Sequence, residues 1–195
     1  IMVSINGKKC APLELSQVSD MLRGTSSEKL KIEIKRYGNE KNIIKEVTRN
    51  YVSENSIPVA LEIAPRTGYI KITSFVENTS STFKTKLDSL VTNNGIENLI
   101  IDLRDNGGGI LQQAVNIASL FLPKSTKIVD LKKRNQKNIQ TYSTINVPKY
   151  PNMKLAFIVN KESASASELL AGSFQDLDKA LIVGERSFGK ALVQN

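Results

Sequence analysis

The chain has 195 residues, of which 40% are apolar and 24% are charged, proportions that are typical of a folded globular protein. It contains no histidine and one cysteine, Cys10, which excludes Ser-His-Asp and Cys-His catalysis, imidazole metal sites and disulfides within the chain. An enzyme of this composition would therefore need Lys, Asp, Glu or Tyr as its base.

The charge balance is basic, with 27 Lys and Arg against 19 Asp and Glu and a net charge of +8. Such a charge suits nucleic acid, an anionic membrane surface or simple solubility, and scattered solvated lysines are the favoured interpretation. The densest basic stretch contains no aromatic residue to stack on bases, so no nucleic-acid partner is expected. Its members are Lys124, Lys127, Lys132, Lys133, Arg134 and Lys137. No apolar run approaches the roughly 18 residues of a membrane helix, and no membrane insertion is expected.

Residues 1–62 predict a small β-rich module with one helix. Met2–Ile5 and residues 30–35 read as strands, and Asn6-Gly7 is a hairpin turn signal. Apolar residues at 13, 15, 18 and 22 predict a helix, and residues 43–47 return as a strand.

From residue 68 onward, strands alternate with helices, which predicts βαβ units and a mainly parallel sheet. The predicted strands are 69–75, 99–103, 154–160 and 180–184, and the predicted helices are 80–91, 110–122 and 165–174. The nearly continuous apolar run at 99–103 is typical of a strand that is buried on both faces. Residues 132–150 are polar and without a clear pattern, so we expect a long loop there.

Three motifs in this second region could carry chemistry: LRDNGGG (103–109), SASASE (163–168) and FGK (188–190) with Gln194 beyond it. The first two lie where a predicted strand leads into a helix, the edge at which open α/β sheets bind ligands. Each motif also has a structural interpretation. The glycine turn lacks the spacing of a phosphate loop, Ser165 and Glu168 fit a helix capping box, and Lys190 fits a solvated turn.

Taken together, the three motifs favour acyl transfer by a serine and a lysine. A serine can be activated by a neutral lysine, whose reference pKa of about 10.4 falls when the amine is desolvated. Lys190 lies between Phe188 and the apolar residues 191–193, which could desolvate it. The N–H after the serine and one N–H of the glycine turn could bind the oxyanion.

Four segments closely resemble the carboxyl-terminal processing proteases, which are serine peptidases of family S41: GYIKI (68–72), LIIDLRDNGGG (99–109), SASASE (163–168) and GERSFGKALVQ (184–194). VSINGK (3–8) and LRG (22–24) resemble the later half of the PDZ domain that precedes this protease core. The resemblance implies an α/β fold with a ClpP/crotonase-like core of mainly parallel βαβ units at 63–195, and a partial β-rich PDZ domain at 1–62.

Transferred by position, the family nucleophile falls on Ser165 and its general base on Lys190, with Gln194 orienting that base. Ala166 supplies one oxyanion N–H and the glycine turn the other, with Gly108 expected among its three glycines. Ser163 and Ser167 remain alternatives for the nucleophilic hydroxyl. Arg23 ends the predicted helix of the PDZ part, where it is either a cation at the helix terminus or, in the alternative, a substrate-binding residue whose contact couples peptide binding to the protease core.

The resemblance further implies proteolysis without metal or cofactor, acting on proteins or peptides with free C-terminal tails that the PDZ domain recognises. It implies a bacterial envelope location, periplasmic or extracytoplasmic, with a signal segment outside this chain, and leaves the oligomeric state open. Because the family's PDZ domain and protease core both extend beyond this sequence, we expect the chain itself to cleave peptides weakly or not at all. A catalytically inactive peptide-binding scaffold of the envelope and a nucleic-acid-binding module remain the alternatives.

Overall fold

The structure, a computed structural model, describes residues 1–50, 55–132 and 139–190. It divides the chain into two units, Ile1–Ser53 and Glu54–Asn195. The elements of the first unit are β1 (Met2–Ile5), β2 (Lys8–Lys9), α1 (Leu15–Leu22), β3 (Lys29–Ile34) and β4 (Ile43–Thr48). Those of the second unit are β5 (Val59–Ala64), β6 (Thr67–Lys71), α2 (Thr79–Asn94), β7 (Asn98–Asp102), α3 (Leu111–Ala118), β8 (Lys127–Lys132), β9 (Ile139–Ser143), β10 (Lys154–Val159), α4 (Ala166–Asp176) and β11 (Ala180–Gly184).

The first unit is an antiparallel sheet of order β2-β1-β3-β4 with one helix, as the sequence pattern predicts. Asn6 and Gly7 both have positive φ (49° and 80°), the geometry of a two-residue hairpin turn, and they connect β1 to β2. The alternation in β3 turns Leu30 and Ile32 inward, where they form a small core with Ile5.

The second unit has a five-stranded sheet of order β11-β10-β7-β6-β5. All pairs are parallel except β5 with β6, so the α/β prediction is confirmed for a mixed sheet with an antiparallel edge strand. The helices α2, α3 and α4 contribute to one core with alternate strand residues. The strands, together with the residues that directly follow β6 and β7, contribute to this core the buried side chains of Ile70, Ile72, Leu99, Ile101, Leu103, Leu155, Phe157 and Val159.

The structure differs from the sequence prediction in three places. The units divide after Ser53 rather than after residue 62, because β5, which was not predicted, pairs with β6. The predicted loop at 132–150 contains the last residue of β8, Lys132, and the whole of β9, and these two strands pair antiparallel. Ile100 is only half-buried, so the strand at 99–103 is not wholly buried on both faces, although Asp102 on the side of Ile100 is fully buried.

The last residue of β7 carries a buried carboxylate. Asp102 is fully buried and accepts hydrogen bonds from Tyr69 Oη at 2.6 Å and from Arg104 Nη2 at 2.7 Å. Lys71 Nζ lies 3.8 Å away. Burial alone would raise the pKa of Asp102, but the hydrogen bonds from Arg104 and Tyr69 and the charge of Lys71 outweigh it and lower the pKa to about 2. The ionised carboxylate thereby fixes the strand end from which the glycine turn starts.

Among the described residues, none of the helices has the length and apolar character that are needed to cross a bilayer.

Replacing Asp102 by Asn should lower the free energy of unfolding at pH 7 by about 2 kcal/mol, because Arg104 and Lys71 lose their buried partner. The pKa of Asp102 is lower in the folded than in the unfolded chain, where it is about 3.9. The charge therefore stabilises the native state above about pH 4, and this contribution disappears as the pH falls toward 2. Denaturant unfolding across this range measures the difference.

The matched control is Asp178→Asn, which neutralises an exposed carboxylate whose positive φ of 52° suits asparagine. Equal acid sensitivity of Asp102→Asn and the unaltered chain would contradict the role of Asp102.

Candidate active site

Two strand-to-helix loops meet at the carboxyl edge of the sheet, because β7 and β10 are parallel neighbours. One loop carries the glycine turn and leads into α3, and the other carries the serine run and leads into α4. Ala164 N donates to Asn106 O at 3.0 Å, and Ser163 Oγ donates to Leu103 O at 2.7 Å. The two predicted motifs are thus joined directly.

Ser165 stands immediately before α4 with φ 56° and ψ −114°. A positive φ is uncommon for a residue with a side chain, and such strained conformations cluster at functional sites. The capping-box interpretation is also correct, because Ser165 and Glu168 form that motif and Ser165 N donates to Glu168 Oε2 at 2.9 Å.

Of the three serines in the run, Ser165 is the partly exposed one. Ser163 and Ser167 are wholly buried, and each hydroxyl donates to a main-chain carbonyl of the neighbouring loop. Ser167 Oγ reaches Asn106 O at 2.9 Å. The two alternatives for the nucleophilic hydroxyl therefore hold the two loops together.

The glycine turn touches the serine directly. A Cβ added to Gly108, where φ is +102°, would lie 2.8 Å from Ser165 Cβ and 3.0 Å from Ala166 N, so no side chain fits there. Gly108 N–H, however, donates to Asn106 Oδ1 at 2.9 Å. The residue expected as an oxyanion donor thus lies at the site, while its N–H is bonded within the turn. Ala166 N–H is the first of α4, a position without an intrahelical partner.

Glu168 connects the segment of Lys190 to Ser165. Its carboxylate accepts hydrogen bonds from Gly189 N at 2.6 Å and Lys190 N at 2.9 Å, in addition to the one from Ser165 N. The Ser187 hydroxyl donates to the same carboxylate at 2.8 Å. One carboxylate therefore receives donors from both predicted catalytic residues, which are 25 positions apart in the chain.

These contacts set the charge state of Glu168. Burial would raise its pKa, but the hydrogen bond from Ser187 and the backbone N–H groups of Gly189, Ser165 and Lys190 lower the pKa below its ordinary value. Glu168 is therefore ionised at neutral pH and acts as an acceptor for all of these donors.

Lys190 is half-buried. Its main-chain N–H donates to the Glu168 carboxylate, which belongs to the first turn of α4. Phe188, expected to help desolvate the amine, is 64% exposed, and its N–H donates to Ser163 O at 3.0 Å. Residues 191–193 and Gln194 lie outside the described residues, so the orienting role of Gln194 stays a prediction.

Arg23 is the C-cap residue of α1, in agreement with the prediction that it ends this helix. Its exposed side chain lies 3.9 Å from Asp20. The carbonyls at the helix end are instead capped by Arg49, which donates to Met21 O at 2.8 Å and Leu22 O at 3.1 Å. A substrate-binding role for Arg23 stays a prediction.

Sequence reasoning recognised Glu168 as a capping residue and missed that it also holds the lysine segment. It gave no role to Asn106, whose wholly buried side chain bonds the segment after β6 and the glycine turn. Among the described residues, acidic and cysteine side chains form no group of three that could hold a metal ion.

Residues 66–195 match the family described as Peptidase family S41. The whole chain is 34% identical, over 194 residues, to a "Probable CtpA-like serine protease" of Staphylococcus epidermidis and spans 38% of that protein. It is 33% identical, over 197 residues, to the "Carboxyl-terminal-processing protease" of Synechocystis sp. and spans 45% of it. The chain thus corresponds to less than half the length of these relatives.

A solved structure of a photosystem II D1 C-terminal processing protease is similar over the entire chain, with a TM-score of 0.61 and 26% identity. The chain covers 53% of that protein. The arrangement of strands and helices described above therefore recurs in a structure whose name gives it a processing function.

Glu168→Gln should detach the lysine segment from α4, because an amide has one acceptor oxygen and its NH₂ group would face donors. We expect faster amide exchange at Gly189 and Lys190. Since the pKa of Glu168 is lowered on folding, its charge stabilises the native state above about pH 4.3, and this contribution fades as the pH falls further. The variant should therefore lose less stability than the unaltered chain on acidification.

Glu185→Gln serves as the control, since Glu185 is an exposed carboxylate in the same segment. Hydrogen exchange followed by mass spectrometry reports both variants. Native protection at Gly189 and Lys190 in Glu168→Gln would show that this carboxylate does not hold the segment.

Proposed function

Because the chain belongs to peptidase family S41, we propose that it carries the catalytic Ser165–Lys190 dyad of a serine endopeptidase. Membership of this family makes the protein a serine peptidase. The residues, their roles and the substrates are our proposal, and they concern the full-length protein of which this sequence could form a part.

The backbone of Ser165 is the observation that carries the proposal. An ordinary N-cap residue has an extended backbone, and Glu14, the N-cap of the other capping box in this chain, has φ −66° and ψ 153°. Ser165, with φ 56° and ψ −114°, does not. A capping role alone leaves this strain unexplained. A sharp strand-to-helix turn that presents a nucleophilic hydroxyl above a sheet edge accounts for it.

In the proposed mechanism, the neutral amine of Lys190 takes the proton of Ser165 Oγ while that oxygen attacks the carbonyl carbon of a substrate peptide bond. The protonated amine then gives its proton to the leaving nitrogen, which breaks the C–N bond and leaves an ester on Ser165. Water, deprotonated by the same amine, hydrolyses this ester and restores the serine. Both half-reactions use the same two side chains.

The negative charge that develops on the substrate oxygen would be held by Ala166 N–H and by one N–H of the glycine turn. The positive end of the α4 dipole lies at the same place and favours this charge. A contribution from Gly108 would require its hydrogen bond to Asn106 to open.

We further propose that the unit Ile1–Ser53 is part of a PDZ domain and that Glu54–Asn195 is part of a ClpP/crotonase-like core. The antiparallel sheet with one helix in the first unit and the βαβ units in the second support this division. Substrates would be proteins with free C-terminal tails, in line with the names of the Synechocystis relative and the D1 processing protease. The full-length protein would act in the bacterial envelope.

A fluorophosphonate probe, which acylates activated serines, tests the dyad in the natural protein at its full length. We expect the probe to label Ser165, and both Ser165→Ala and Lys190→Ala to abolish labelling and lower the rate of peptide cleavage by at least about 10³-fold. Ser163→Ala should keep the label because Ser163 holds the loop rather than the substrate.

Lys161→Ala is the matched control for the lysine, since Lys161 is exposed in the loop that leads to the serine run. Labelling that persists in Ser165→Ala would refute the dyad. A folded full-length protein that the probe does not label would instead favour the peptide-binding scaffold, in which Ser165 acts as a helix cap alone.

A further inference from the structure

Asn106 joins three segments at the carboxyl edge of the sheet, two of which meet at Ser165. Its side chain is wholly buried, Nδ2 donates to Ile72 O at 2.9 Å, and Oδ1 accepts from Gly108 N at 2.9 Å. Its main-chain carbonyl accepts from Ala164 N and from Ser167 Oγ. The side-chain NH₂ group, the side-chain oxygen and the main-chain carbonyl of Asn106 therefore all form hydrogen bonds. These bonds reach the segment after β6, the glycine turn and the serine run.

The bond to Asn106 determines which N–H groups of the turn remain available. Phe75 N donates to Gly108 O and Ile110 N donates to Phe75 O, a bridge that flanks Gly109. In such a bridge the N–H and C=O of the flanked residue point away from the partner strand. Among the hydrogen bonds of the described residues, none uses Gly107 N–H or Gly109 N–H, and of these two glycines Gly109 is the one that the bridge to Phe75 holds. This N–H follows directly on Gly108, the residue that touches Ser165 and Ala166.

We propose that Asn106 is a positioning residue that locks the glycine turn so that Gly109 N–H, rather than Gly108 N–H, faces the substrate oxygen beside Ala166 N–H. The inference deepens the proposed function and rests on it. Asn106 acts through Gly108 and does not touch the substrate, so its removal should weaken binding of the transition state more than binding of the substrate.

Asn106→Ala in the full-length protein tests this role. We expect kcat to fall on the order of 10²-fold, as on loss of one oxyanion donor, while KM stays nearly unchanged. The affinity for a peptide boronic acid, whose adduct on Ser165 carries the oxyanion, should fall by a similar factor. Ser119→Ala, which removes another buried and hydrogen-bonded side chain at the end of α3, should lower the melting temperature and leave kcat unchanged.

Asn106→Asp decides the question if the alanine variant does not fold. A protonated carboxyl at this position can accept from Gly108 N–H and donate to Ile72 O as the amide does, and burial favours the protonated form. The ratio of its kcat to that of the unaltered enzyme should rise as the pH falls. Replacing Gly109 by glycolic acid, which exchanges the N–H for an oxygen, should lower kcat by the same order as Asn106→Ala.

Folded Asn106→Ala with unaltered kcat, or full activity after removal of Gly109 N–H, would overturn this inference and leave the Ser165–Lys190 dyad intact. Failure of the dyad itself would appear differently, as retained cleavage and labelling in Ser165→Ala.

Discussion

The carboxylate of Glu168 is the contact on which the candidate site depends, because it accepts hydrogen bonds from two segments that are far apart in the chain. It receives Ser165 N–H from the start of α4, and it receives Gly189 N–H and Lys190 N–H from the segment that follows β11. A carboxylate in this position is kept ionised by its donors, and the ionised form is the one that accepts them all. The charge state of one side chain and the location of the lysine segment are therefore coupled.

The parallel pairing of β7 and β10 determines where the other two parts of the site lie. It places the glycine turn and the serine run side by side, and the buried hydroxyls of Ser163 and Ser167 join them through main-chain carbonyls. These two bonds fix the chain on either side of Ser165, whose backbone conformation is strained, and strain of this kind persists only where the surroundings over-determine it. The proposed nucleophile thus lies between two serines whose hydroxyls have a structural role.

Local patterns were sufficient to predict β1, β3 and β4 of the first unit, the βαβ character of the second and the capping pair of Ser165 with Glu168. They failed where a structure depends on distant partners. β5 was missed because its pairing with β6 decides it, and the hairpin of β8 and β9 was missed because its residues are mostly polar. The bonds from Glu168 to Gly189 and Lys190, and those from Arg49 to the end of α1, span more than 20 residues and leave no local signal. Nothing in the GGG motif distinguishes Gly108, whose N–H is bonded to Asn106, from its neighbours.

The central claim is that an amine does the work of the imidazole that this chain lacks. The most direct measurement is the distance from Ser165 Oγ to Lys190 Nζ in a crystal structure of the full-length protein. The account predicts about 2.6–3.2 Å, the range of a hydrogen bond that can pass a proton. An amine that lies in solvent, with another side chain in hydrogen-bond contact with the Ser165 hydroxyl, would contradict it.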